Sequence, residues 1–314
     1  MFLTTSSTYR GLRARFLFAV AAGVVLTACD NTELLDPETS GAPNEVAAAP
    51  VEVETAAGRQ AGGIPIGMSA QPVSAFGDVY SGAKLTVSPG DIMSKLSAVR
   101  SRGGRVVLML AGHPRYYKDS RGHFSLTKWK DRVGRFRHLN LSSYIKDGTL
   151  AGHYMIDEPN DKRNWHGTTV SPRTLDEMGR YSKQLWPALA TIVRTRPSYF
   201  PSRPRYVDAA WASYLHRHGS VKDFLRRNVA DAQRRDLALV VGLNVLNGGS
   251  PNGTKMTPSE VQSWGSAMLE SSYPCGFYSW TWDSRYLNSS GIRSAMKTLR
   301  RKAESRSRKS CRSP

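Results

Sequence analysis

The chain is short of cysteine, of acid and of long apolar runs. Three cysteines in 314 residues are too few for a disulfide scaffold. The single apolar run that approaches spanning length sits at the N-terminus, which excludes a polytopic membrane protein. No Gly-rich dinucleotide fingerprint follows the first candidate strand, and no H-E-x-x-H or Cys/His ligand spacing occurs. The sequence therefore calls for no cofactor and no metal, and His216-Arg217-His218 does not read as a metal site. Acids number 25 against 44 Lys+Arg, a formal charge of +19. That excess is open to nucleic acid, an anionic surface or an acidic substrate. At 40% hydrophobic and 22% charged residues the chain is too apolar to be disordered throughout.

Residues 1–29 have the order of a secretion signal. Arg10, Arg13 and Arg15 precede an apolar stretch over 16–25, too short to span a bilayer. Leu26-Thr27-Ala28-Cys29 follows and resembles the lipobox of bacterial lipoproteins. The resemblance implies that Cys29 carries the lipid and that the protein works at the bacterial cell envelope, membrane-anchored outside the cytoplasm. An ordinary signal with an incidental cysteine is the other reading. Residues 30–62 hold seven acids, with Arg59 the only base, and read as a flexible acidic tether. The remainder, 63–314, has 40 bases and 18 acids, a net +22.

From residue 63 onward, short runs rich in β-branched and aromatic residues alternate with amphipathic stretches. Strands are expected over 64–70, 84–87, 105–111, 152–157, 190–195, 206–211, 238–245 and 276–282. Ser88-Pro89-Gly90-Asp91, Ser171-Pro172 and Thr257-Pro258-Ser259-Glu260 open helices, while Gly103-Gly104 and Gly148 close them. Eight alternating units predict a single (β/α)8 barrel over 63–303, with an open doubly wound sheet as the alternative. Residues 304–314 form a basic tail. Cys275 precedes the last strand at the barrel bottom, where Cys311 also returns, so a disulfide or two free thiols are both expected there.

A barrel places its chemistry where its strands end. Those ends collect His113, Asp157, Glu158, Arg194, Asp208, Trp211, Asn244, Asn247, Trp280, Trp282 and Asp283. Aromatic faces stack on sugar C–H surfaces, and amides and carboxylates bond the hydroxyls. Glycoside cleavage further needs two carboxylates flanking the bond, one of them protonated. His153-Tyr154-Met155-Ile156-Asp157-Glu158-Pro159 resembles the fourth-strand end of the large clan of retaining (β/α)8 glycoside hydrolases, which ends in Asn-Glu-Pro or a variant. The segment Phe277-Tyr278-Ser279-Trp280-Thr281-Trp282-Asp283 resembles the clan's eighth strand, where a Trp floors the sugar site. The resemblance implies hydrolysis of an O-glycosyl bond with Glu158 as general acid.

Two departures stand out. Asp157 replaces the usual Asn, and 238–247 holds no acid where the clan carries its nucleophile, with Asn244 near that place. Asp208 is the first choice of catalytic partner, Asp283 the second, and Asp157 or Asp161 the third. His113, Arg194, Trp211, Asn244, Trp280 and Trp282 would line a polysaccharide or oligosaccharide site, with Asp157 and Asp283 beside them. Each also has a structural reading: a loop anchor for Asp157, an ion-pair partner for Asp208, core packing for one of Trp280 and Trp282. A carbohydrate-binding barrel without catalysis is the rival. The positive charge points to an anionic polysaccharide rather than to nucleic acid, since no nucleic-acid module appears.

Overall fold

The computed structural model describes residues 62–307 and 310–314. The signal with Cys29, the acidic tether up to residue 61 and tail residues 308–309 lie outside the described residues.

Among the described residues, each apolar run expected as a strand contributes one. In chain order the elements are β1 (Ile66–Ser69), β2 (Gly82–Thr86), α1 (Ile92–Arg100), β3 (Arg105–Met109), α2 (Leu126–Gly134), α3 (Ser142–Lys146), β4 (Leu150–Asp157) and α4 (Pro172–Leu185). There follow β5 (Thr191–Arg194), β6 (Ala209–Tyr214), α5 (Val221–Gln233), β7 (Ala238–Leu243), α6 (Pro258–Glu270), β8 (Gly276–Ser279), α7 (Ser284–Leu287) and α8 (Ser290–Glu304). All strands are parallel, and β8 pairs back onto β1 to close the barrel. The chain is thus a (β/α)8 barrel. It departs from eight regular units in two places: β1–β2 and β5–β6 are joined by short 3-10 turns, Val73–Ala75 and Pro197–Tyr199, instead of α-helices.

The helix starts follow their sequence signals. Thr257 and Glu260 form a reciprocal capping box ahead of α6, with Thr257 N–H donating to Glu260 Oε2 at 2.7 Å. Ser171 Oγ accepts from Thr174 N–H at the start of α4. Two apolar clusters hold the layers together. The larger fills the space between strands and helices; the smaller, with Val107, Met109, Tyr154, Ile192, Trp211, Val240 and Tyr278, fills the barrel interior. Gly82 and Gly276 make room for Tyr278: a Cβ on either would lie 2.9 or 2.8 Å from its ring. At the base, a Cys275–Cys311 disulfide ties the tail to the start of β8.

Two local features decide which side chains reach the mouth. In β4 the register to β5 shifts between Tyr154 and Ile156: Tyr154 pairs with Ile192, and Ile156 with Val193. Met155 is the extra residue. Strict alternation from Tyr154 would turn Ile156 inward and Asp157 outward. With the bulge, Met155 and Ile156 pack in the outer cluster and Asp157 turns inward.

The second feature corrects an expectation. β6 runs over Ala209–Tyr214, three residues later than 206–211, so Asp208 precedes the strand instead of lying near its end. Tyr206 N–H is taken by Asp176 Oδ1, and Val207 packs outward into the helix–strand core, so neither belongs to the ladder. Asp208 accepts from Thr191 N–H and Thr191 Oγ1 at the first residue of β5 and from Lys183 Nζ. It therefore lies at the strand N-termini, the face opposite Glu158, and the pair cannot flank one bond.

Candidate active site

The mouth is built around the ends of β4, β5, β7 and β8. A cavity of about 340 Å³ is lined by His113, Lys118, Asp157, Glu158, Asn164, Arg194, Asn244 and Trp280. Six of the residues singled out from sequence meet there: His113, Asp157, Glu158, Arg194, Asn244 and Trp280.

Glu158 follows the last residue of β4 with φ +41°, a left-handed backbone that Glu rarely adopts. Such conformations concentrate at functional sites because the surroundings must hold them in place. Here Glu158 N–H donates to Arg194 O at 3.1 Å, and Glu158 O accepts from Asp161 N–H and from Trp165 Nε1. The side chain remains 44% exposed, free to meet a ligand. Arg194 Nη1 lies 2.6 Å from Asp157 Oδ1 and 3.2 Å from Glu158 Oε1, so one guanidinium joins both carboxylates. Burial works against the charge on Arg194, but Asp157, Tyr154 and Glu158 together outweigh that cost and hold the guanidinium firmly protonated. Tyr154 bonds Asp157 from within the barrel.

Trp280 leaves the barrel at the end of β8, with its peptide to Thr281 cis. Lys84 Nζ and the Arg194 guanidinium stand 5.6 and 5.4 Å from its ring centroid. Asn244 bridges Trp280 across the β7–β8 gap, and its Oδ1 accepts from Asn247 N–H to hold the loop. Lys84 was not anticipated. It is 5% exposed, reaches up inside the barrel, and lies 5.2 Å from the Tyr154 ring. Burial pushes its pKa down to about 8, with Asp157 opposing and Arg194 adding to the drop. The signal was its place in β2, where alternation puts it on the inward face with Gly82 and Thr86.

Four other expected residues have different places. Trp211 lies under the mouth, 2% exposed and edge-on to Tyr154 at 5.2 Å, and contributes to the floor of the adjoining cavity. Trp282 packs edge-on against Tyr80 on the core, because β8 ends at Ser279 and alternation does not carry Trp282 to the mouth. Asp283 caps α7 through Tyr286 N–H and pairs with Lys255; the Tyr286 bond holds its carboxyl below the ordinary range. Asp161 is held by three bonds from the Arg163 side chain. Asp157 is thus the carboxylate beside Glu158 in the cavity that Trp280 lines. Among the described residues, no group of three or more His, Cys, Asp or Glu could hold a metal ion.

This arrangement, on a barrel with acids and an aromatic at the strand C-termini, is that of a (β/α)8 protein with its site at the mouth. Solved structures agree on the fold. A β-glucanase from Saccharophagus degradans superposes with a TM-score of 0.57 at 13% identity, covering 78% of this chain and 94% of its own. A candidate glycoside hydrolase from Parabacteroides distasonis gives 0.54 at 10% identity, covering 80% and 96%. No protein-family model and no curated protein matches the chain.

Proposed function

We propose that the protein is a glycoside-hydrolase-like barrel acting on a polysaccharide, with Glu158 as general acid. The observation that carries this reading is the Glu158 carboxyl, set over the mouth by a left-handed backbone beside Trp280 and Arg194. In this reading a sugar lies on the Trp280 ring, and Glu158 gives its proton to the leaving glycosidic oxygen. Asp157 orients the Arg194 guanidinium, which holds both carboxylates at the rim beside the sugar. The fold of sugar-cleaving barrels and the clustering at the strand ends support it. The protein would act outside the cytoplasm, anchored through Cys29; the Cys275–Cys311 disulfide suits an oxidising compartment.

A second reading is favoured by one observation. Asn244 stands where a carboxylate facing Glu158 is expected, so the barrel would hold glycan without cutting it. A glycan panel scored for binding and for new reducing ends separates the two. The hydrolase reading expects turnover, reduced about 10²–10⁴-fold in Glu158→Gln with binding kept. Binding without new reducing ends, the same in both proteins, would establish the binder.

A further inference from the structure

The mouth does not end at Glu158. A second cavity, of about 600 Å³, shares Glu158 and Arg194 with the first and continues past Arg196, Ser198 and Arg217. A third, of about 380 Å³, shares Arg196, Ser198, Arg217 and His218 with the second and reaches Arg227 on α5. The three form one groove across the loops that follow β4, β5 and β6.

Its charge is one-sided. The acids along the second and third cavities besides Glu158 are Asp161 and Asp231, and both are engaged, by Arg163 and by Arg234 with Arg235. Arg196, Arg217 and Arg227 have no carboxylate within ion-pair distance among the described residues. They converge on His218: its burial and the nearness of all three guanidiniums push the imidazole down to about 4, so it is neutral at physiological pH. Neutral His218 adds no further positive charge, and with no carboxylate paired to the three arginines, like charges held together are relieved by an anion. Guanidinium forks match the planar oxygens of a carboxylate and the oxygens of a sulfate ester.

We propose that this groove binds the acidic group of an anionic polysaccharide, a uronate carboxylate or a sulfate ester, with Arg196 and Arg217 as its principal partners. The chain would enter over Arg227 and present its scissile bond to Glu158. This rests on the mouth being a sugar site and names the class of substrate that site takes.

The test uses the full chain, the double variant Arg196→Ala/Arg217→Ala, and the variant Trp280→Ala at the mouth. The probes are an oligogalacturonate, its methyl-esterified neutral form, a chondroitin sulfate oligosaccharide, a neutral β-glucan oligosaccharide and a single-stranded oligonucleotide. Affinities are measured calorimetrically at about 50 mM and about 200 mM salt. The expected result is that an acidic probe binds at least about tenfold tighter than the neutral ones and loses that advantage, with its salt dependence, in the double variant. Neutral-probe affinity stays unchanged there and falls in Trp280→Ala. Equal affinity for acidic and neutral probes, or full acidic affinity in the double variant, overturns the groove while leaving the sugar site intact. Failure of every glycan to bind, or loss of none in Trp280→Ala, overturns the sugar site and the groove with it. An oligonucleotide bound more tightly than any glycan, and lost in the double variant, overturns the polysaccharide as its ligand.

Discussion

Removing the Asp208 carboxylate should cost stability and leave the mouth untouched. Its Oδ2 accepts from Lys183 Nζ at 2.5 Å, Thr191 N–H at 2.7 Å and Thr191 Oγ1 at 3.0 Å. Both charged side chains are 16% exposed, so the pair is largely but not fully desolvated. Hydrogen bonds to a charged group contribute about 1.5–3 kcal/mol, and a buried N–H left without an acceptor costs about 1–3 kcal/mol. Lys183 keeps its bond to Leu189 O and can turn toward water, which lowers the total. Asp208→Ala should therefore lose about 3 kcal/mol. Asp208→Asn, whose carbonyl can still accept from Thr191, should lose roughly half as much. For a barrel of this size that is a fall in Tm of about 6–12 °C for the alanine variant. Thermal and urea unfolding measure it, alongside glycan binding and reducing-end release well below Tm. Glu158→Gln should show the converse: unfolding near wild type and lost turnover. A near-normal Tm for Asp208→Asn with turnover down a hundredfold would falsify its placement at the strand N-termini.

Two further outcomes follow from buried groups. The Cys275–Cys311 bridge closes a sequence separation of 36, for which loop-closure entropy gives about 3–4 kcal/mol. Reductant should lower the Tm of the wild type by about 10 °C and leave Cys311→Ser, already low, unmoved; insensitivity of the wild type would mean that the bridge carries no stability. Lys84 concerns pH. The folded lysine releases its proton near pH 8 and the unfolded one near 10.5, so below pH 8 the burial cost is fully present. Between those values the unfolded state holds more protons and stability rises with pH. At about 1.4 kcal/mol per pH unit the cost is on the order of 3 kcal/mol. Urea unfolding of wild type and Lys84→Met should show the wild type gaining on the variant as pH rises from 7.5 toward 9.5, while tyrosine ionisation, common to both proteins, cancels in the difference. A constant difference would mean that burial is not what sets the Lys84 proton.

The barrel was legible because its strands are short β-branched and aromatic runs separated by capped helices, and the cap residues name their own boundaries. Ser171 and Thr257 cap as their sequences say. The site was legible only in part. Position along the chain located the ends of β4, β5, β7 and β8 closely enough to assemble Asp157, Glu158, Arg194, Asn244 and Trp280. It failed at β6, where four of the six residues of Ala209–Tyr214 are alanine or serine and the bulkier Tyr206-Val207 drew the expected strand forward. Ala209 leaves room beside Trp211 inside the barrel, and Ala210 and Ala212 face the helices, but such small residues carry little β signal. Nothing in a period of two could announce Met155 as an extra residue in β4.

That extra residue bears directly on the chemistry. Adjacent residues on a regular strand face opposite sides, so Asp157 and Glu158 as plain neighbours in β4 could not share a cavity. The bulge turns Asp157 inward, and the left-handed backbone at Glu158 then carries the next side chain over the rim. Asp157 pairs in register with Arg194 on β5, which places the guanidinium where it reaches both carboxylates. Two local departures from ideal geometry, each costly alone, thus converge on one result: two carboxylates and a cation in a single cavity facing Trp280. Left-handed backbone occurs also at Ala70, His166 and Asp236; at Glu158 it follows a bulge and carries a carboxylate into a cavity. Their coincidence in one cavity with Trp280 is the physical ground for seeking the reaction at Glu158.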